Sequence, residues 1–419
     1  MDPFDGVRIP DFPDLGEITD DAMLAAAVRG GSGLFRVKAL LNYLNTGRLG
    51  VPLAGAKGDG TTDDTSAIQD AIDKAGALGA DVLFDARRYR ITRTLRIGDG
   101  SASGVSSYGG VRLRGMGQPK MPTQFLAGYP MDSDRATRLV WGGADDGVMV
   151  SVRGPLQGWG LSSMFLDGSG GTGDWGGRAG RGLEVFSGMA GRCDDLAIVG
   201  CRRSGLHLNT VPSPPGVLNA DTLHNEFRNL NIGVGWAPGA SGIVLTGQNP
   251  AGNNSDYNHF WNTAVALPTD PAAAPSAYAV YMQACDSNVF HTLHVFNGHR
   301  ACCGLMLDYN VNPDWPAGNQ VFGADWGGMD APVQVAGTPS ANARPNYIYA
   351  LNEANGGFLP TGLRNVVAET RVVASLDRVG FTGGLPQTVL AEIARTGLYR
   401  LSYYLLDRKS TRLNSSHSR

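Results

Sequence analysis

Three aspartates, Asp221, Asp256 and Asp308, are the residues of this chain best placed for acid–base work. His224, Tyr257, Tyr309 and Trp315 lie beside them in sequence. All seven belong to three long segments, Asn209–Asn225, Thr246–Asn258 and Asp308–Asn319, that leave the same point of a repeating strand pattern. Loops that leave equivalent points of a repeat gather on one side, where function concentrates. Aromatic faces with carboxylates suit an elongated sugar chain, the rings for packing and the acids for hydroxyls or proton transfer. Two carboxyl groups about 5–5.5 Å apart support retaining hydrolysis of a glycosidic bond, and about 6.5–9.5 Å supports inversion. The competing reading of each aspartate is a turn cap, the ordinary task of aspartate in loops.

Lyase chemistry would need a base and a cation instead, and Arg202 or Arg203 could serve as the cation or stand as surface charge. His207, His291 and His294 fall at outward strand positions and read as solvated-face residues. The five cysteines, 193, 201, 285, 302 and 303, show no C-x-x-C spacing and read as small buried hydrophobes. No metal site and no cofactor is expected.

What must position these residues is a repeat. The template apolar-x-x-apolar-x-apolar occurs at Leu161, Cys193, Phe227, Phe260 and Phe290, with a degraded copy at Phe322. Successive starts are 32, 34, 33, 30 and 32 residues apart. A second strand type alternates with it, at Gly182–Val185, Gly205–Leu208, Gly242–Leu245, Tyr278–Tyr281, Gly304–Leu307 and Pro332–Val335. Alternate strand residues share a face, so the odd gap in the template demands a bend after its first residue. The period predicts an all-β chain, a parallel β-helix whose coils stack about 4.8 Å apart. Phe227, Phe260 and Phe290 should then pile up inside, with Phe322 above them. Asp195, Asn229 and Asn262 should form a ladder at the bend. Arg192 with Glu226, and Asp194 with Arg228, should pair across coils.

Before the repeat, Ala67, Ile68, Ala71, Ile72 and Ala75 recur at helical spacing. Thr62, Asp63 and Asp64 offer oxygens to the amides at the helix start, and Gly76 and Gly79 end it. The segment Gly55–Ile72, G-x-x-G-D-G-x-T-D-D-T-x-A-I-Q-x-A-I, resembles the opening signature of the pectate-lyase-like, single-stranded right-handed β-helix superfamily, which includes rhamnogalacturonase-type enzymes and phage tailspikes. The resemblance implies that this helix closes the N-terminal end of the solenoid. One departure is Ala86-Arg87-Arg88, where the family usually has a Pro-Gly turn. The polygalacturonase pattern is missing, with no Asn-Thr-Asp, Gly-His-Gly or Arg-Ile-Lys.

Four parts are expected: an N-terminal attachment or cap segment at 1–50, the β-helix at 51–370, the start of a β-sandwich-like module at 371–406, and a tail at 407–419. Ala26–Leu44 is similar to segments near the N-termini of phage tail fibres, and Gly397–Leu406 to the start of tail-protein modules. Asp407–His417 resembles a translated sequencing adapter. No secretion signal is visible at the start. These resemblances imply a tailspike-like polysaccharide-binding protein, a glycoside hydrolase or lyase on a cell-surface polysaccharide, on a virion tail or extracellular. They imply a homotrimer, with virion tail proteins as partners. A bacterial pectin- or rhamnogalacturonan-active enzyme and a non-catalytic receptor-binding fibre are the alternatives. Net charge is −3 and charged residues make up 17%. That balance argues against nucleic acid as a partner, and no apolar run is long enough for membrane insertion.

Overall fold

The computed structural model describes residues 50–100, 110–117, 119 and 136–350, outside 173–176, 210–220, 236, 248–253, 269–276, 297–300, 327–328 and 330–331, and five strand segments at 23–28, 31–36, 366–369, 400–405 and 413–418. The chain divides into two compact units, Met1–Glu369 and Thr370–Arg419. In the second, Arg400–Leu405 pairs antiparallel with Leu413–Ser418. In the first, Met23–Val28 and Gly31–Arg36 form an antiparallel hairpin. Most of the expected 371–406 module, and the loops at 210–220 and 248–253, lie outside the described residues.

The rest of the first unit is a right-handed parallel β-helix. Its first column of strands is in register from one coil to the next through Val51, Val82, Leu113, Leu161, Cys193, Phe227, Phe260, Phe290, Val321, Ile348 and Val367. A second column joins Leu139, Leu166, Ile198, Ile232, Val265 and Val295. A third joins Leu95, Val150, Leu183, Leu206, Ile243, Val280, Leu305 and Val333. These rows fill the interior. Phe227 and Phe260 stack with ring centroids 4.9 Å apart, and Phe260 and Phe290 at 4.2 Å. Each such pair adds about 0.5–1.5 kcal/mol beyond the burial itself. All five cysteines are free and buried in or beside this core.

The bend in the template is a single left-handed residue, Ser163, Asp195, Asn229 and Asn262 having φ between 50° and 52°. Asparagine and aspartate tolerate this conformation because the short polar side chain bonds locally. Here the side chains form the expected ladder, Asn229 donating to Asp195 at 2.9 Å and Asn262 to Asn229 at 2.8 Å. The copy after Phe290 is shifted by one residue: Val321, not Phe322, continues the interior row, because Gly323 (φ 62°) takes the bend position. The charged rows also differ from expectation. Arg192 pairs with Asp194 at 2.6 Å and Arg228 with Glu226 at 2.8 Å, along each strand, since side chains two apart share a face.

Helix α1 spans Thr65–Leu78 and buries Ile68, Ala71, Ile72 and Ala75 against the first coils. Asp63 accepts from the Thr65 amide at 3.0 Å. Asp64 does not cap the helix; its carboxylate turns back to the Lys57 and Gly58 amides at 2.6 and 3.0 Å. The acids of the signature therefore hold the loop and helix start and leave no group for catalysis.

Candidate functional site

After the third column, the chain makes a short edge strand before turning back. Leu223, Asp256 and Asp286 are in register along this edge, and Asp286 bridges to Ala317. The next residue in each coil is left-handed, His224, Tyr257, Ser287 and Gly318 having φ of 56°, 54°, 52° and 64°. That kink throws these side chains outward and aims the following residue inward. The inward residues are Asn225, Asn258, Asn288 and Asn319, all buried. The Asn225 oxygen accepts from the Gly191 amide at 2.8 Å, and above it each side-chain oxygen accepts from the asparagine of the coil below: the Asn258 oxygen takes the Asn225 amide at 3.1 Å and its Nδ2 at 2.9 Å, and Asn288 and Asn319 repeat the contact. The second Nδ2 hydrogen goes to a backbone carbonyl, Gly188 for Asn225 and Thr222 for Asn258. A buried amide so fully satisfied fixes the corner in one conformation.

The corner holds Asp256 one coil from Asp286, about 4.8 Å across the sheet. Burial pushes the Asp256 carboxyl up to about 8, with the charges of Asp286 and Asp221 adding to the effect. Its Oδ1 is buried without a hydrogen-bond partner among the described residues. Asp286 has the opposite surroundings. It forms an ion pair with Arg344, and the Ser287 hydroxyl donates to its Oδ1 at 2.7 Å. Arg344 reaches Asp286 past Gly318, where an added Cβ would lie 3.2 Å from Asp286 Oδ1 and 3.4 Å from the guanidinium. Asp221 accepts the Asn254 amide at 2.9 Å, and burial raises its carboxyl as well. His224 and Tyr257 stack at 5.4 Å on this edge, with Tyr257 47% exposed.

The structure therefore gathers Asp221, Asp256, His224 and Tyr257, and adds two residues that the sequence reading missed, Asp286 and Arg344. Asp308 is a correction. It continues the third column in register with Gln283 and Ala336, not the edge. There it is buried and takes hydrogen bonds from the Tyr281 hydroxyl, Gln283 at 3.3 Å and the Asn310 amide at 2.9 Å. Tyr309 is a second correction: it is 2% exposed and its hydroxyl accepts from Asn346 at 2.9 Å, so it offers no face to a ligand. Trp315 is half-buried in a turn, its amide donating to Asn312 at 3.2 Å.

The remaining candidates are accounted for elsewhere. Arg203 pairs with Asp146 and Arg202 with Asp145, at 2.5 and 3.6 Å, on the surface. His207 is outward but mostly covered, 2.9 Å from the Thr246 hydroxyl, and burial pushes it down to about 3. Among the described residues no cluster of three or more His, Cys, Asp or Glu could hold a metal ion.

No family model matches the chain. A 49-residue stretch is 55% identical to a protein of Arthroderma benhamiae named "Probable glucan endo-1,3-beta-glucosidase", covering 12% of this chain and 6% of that one. Among solved structures, the tailspike protein of Acinetobacter phage vB_ApiP_P1 is similar over 89% of this chain and 68% of its own, at 11% identity and a TM-score of 0.44. The Streptococcus pneumoniae surface adhesin PfbA is similar over 77% and 86%, at 12% identity and 0.44.

Proposed function

We propose that this chain is a tailspike-like glycan-binding protein that hydrolyses its polysaccharide at the edge formed by Asp221, Asp256 and Asp286. The observation that carries the reading is the in-register pair of Asp256 and Asp286, two carboxyl groups one coil apart in opposed surroundings. With its carboxyl raised to about 8, Asp256 keeps a proton at neutral pH, as a general acid must. Asp286, ion-paired with Arg344, is the charged partner. The acid protonates the departing glycosidic oxygen while the carboxylate attacks the anomeric carbon. Asp256, now ionised, then takes a proton from the water that releases the sugar. A coil rise of about 4.8 Å matches the separation of about 5–5.5 Å that such a double displacement requires, so retention of anomeric configuration is expected. His224 and Tyr257 supply ring faces beside the acids.

The cell-surface location of the glycan, attachment to a virion tail and a homotrimer follow from the tailspike resemblance of the N-terminal phrase and of Gly397–Leu406. The test is release of reducing ends by the full chain from a panel of bacterial and plant polysaccharides, with the product anomer followed by NMR. Loss of release in both Asp256→Asn and Asp286→Asn supports the reading. Wild-type rates in either variant reject it.

A further inference from the structure

The outward column of the corner changes character halfway along. His224 and Tyr257 bring rings, whereas Ser287 and Gly318, in the same left-handed position of the next two coils, bring almost nothing. One face of Tyr257 is covered by His224, 5.4 Å away. In the next coil the position equivalent to Tyr257 is Ser287, which follows Asp286 and its partner Arg344. This step is one ring deep. A pyranose there would take the place of a third ring in the stack, its apolar face on Tyr257 and its hydroxyls toward Asp286 and Arg344. A protein partner would need a far larger surface than one tyrosine face, about 1,000 Å² for a specific interface.

The charges around the step narrow the choice of sugar. Among the described residues this edge holds three carboxyl groups, Asp221, Asp256 and Asp286, and one guanidinium, Arg344, which is already committed to Asp286. A uronate would bring a further carboxylate beside Asp221 and Asp286, with no uncommitted guanidinium among the described residues of this edge to meet it, and like charges in a half-buried site cost affinity steeply. We propose that the ring seated on Tyr257 is an uncharged pyranose, so that this edge takes a neutral polysaccharide and not a polyuronate. The inference rests on the edge being the glycan site, and it deepens that reading by naming the substrate class. It also counts against β-elimination, which needs a uronate.

Two substitutions copy residues that the corner column already accommodates. Tyr257→Ala reproduces Ala190 (φ 48°), and Ser287→Tyr reproduces Tyr257 (φ 54°), so both keep the left-handed turn. The experiment is native affinity electrophoresis of the full chain in gels cast with laminarin, dextran, mannan or galactan, and in parallel with alginate, polygalacturonate or hyaluronate. Far-ultraviolet circular dichroism checks that each variant is folded. Wild type should be retarded in at least one neutral gel and in none of the acidic ones. Both variants should weaken that retardation at least about tenfold, a loss of about 1.4 kcal/mol. Retardation by an acidic gel, retardation by no gel, or unchanged binding in either variant would overturn the proposal. The catalytic reading fails separately: if Asp256→Asn binds and still cleaves a neutral glycan, the subsite stands and the acid assignment falls.

Discussion

Asp256, half-buried on the edge row, and Asp308, buried at the end of a third-column strand two coils on, had equal claims from sequence. Their surroundings separate them. Asp308 receives donors from Tyr281, Gln283 and Asn310, which satisfies the carboxylate and locks it. Asp256 has a buried oxygen without a partner among the described residues and stands one coil from Asp286. A carboxylate whose lone pairs are all taken is part of the scaffold. One held near like charge, with hydrogen-bonding capacity in reserve, stays available for proton transfer.

The sharpest way to break this comparison is to neutralise both acids. Asp256→Asn should reduce cleavage by about 10²–10⁴-fold in a reducing-end assay, the scale of lost acid catalysis. Asp308→Asn should leave the rate within about threefold while lowering the thermal midpoint, because a carboxylate with three donors is replaced by a group that cannot accept them all. Equal losses in the two variants would erase the distinction.

A second way uses pH. The folded Asp256 carboxyl lies near 8, above its ordinary value of 3.8, so folding favours the protonated form. Its contribution to stability is complete below the ordinary value and is lost as pH rises through about 8. His207, depressed to about 3, works in the opposite sense, its contribution declining only as pH falls below 6.5. Between pH 6.5 and 9 the Asp256 effect should therefore dominate. Wild type should lose thermal midpoint across that window and Asp256→Asn should lose less, as calorimetry can read. Parallel slopes for the two proteins would show that Asp256 does not titrate there.

Two asparagine ladders extend the contrast from acids to amides. Asn258→Ala removes a fully buried link and leaves its neighbours unpaired, costing about 1–3 kcal/mol in denaturant unfolding. Asn229→Gly, which keeps the left-handed bend of the exposed ladder, should cost less than about 1 kcal/mol. Smallest of all, Arg192→Ala should change stability by less than about 1 kcal/mol, since its partner Asp194 lies on a solvated face. A large effect there would mean that the pair does more than decorate the strand.

The interior was legible because apolar residues recur with one spacing, and no other arrangement buries Phe227, Phe260 and Phe290 together. The bend ladder was legible for the same reason, Asp195, Asn229 and Asn262 sharing one template position. The buried ladder was missed because asparagine in a loop reads as an ordinary turn residue. Yet Asn225, Asn258 and Asn288 each stand two residues before a phenylalanine of the interior row. The same count would have found the partner of Asp256, since Asp256 stands four residues before Phe260 and Asp286 four before Phe290. Tyr309 was misread because nothing local says that a residue leaving a strand will be turned inward to meet Asn346. Arg344 carries no local signal either, since its meaning depends on a side chain two coils away.

The unbroken interior row from Val51 to Ile348 makes length an adjustable property of this molecule. The strands of each winding pair only with those immediately above and below, and the longer reach of Arg344 to Asp286 lies on the far side of the acids, so one winding could be added or removed beneath Asp221 without disturbing the corner that bears them. Such a change would alter the reach of the shaft in increments of about 4.8 Å and leave the chemistry alone.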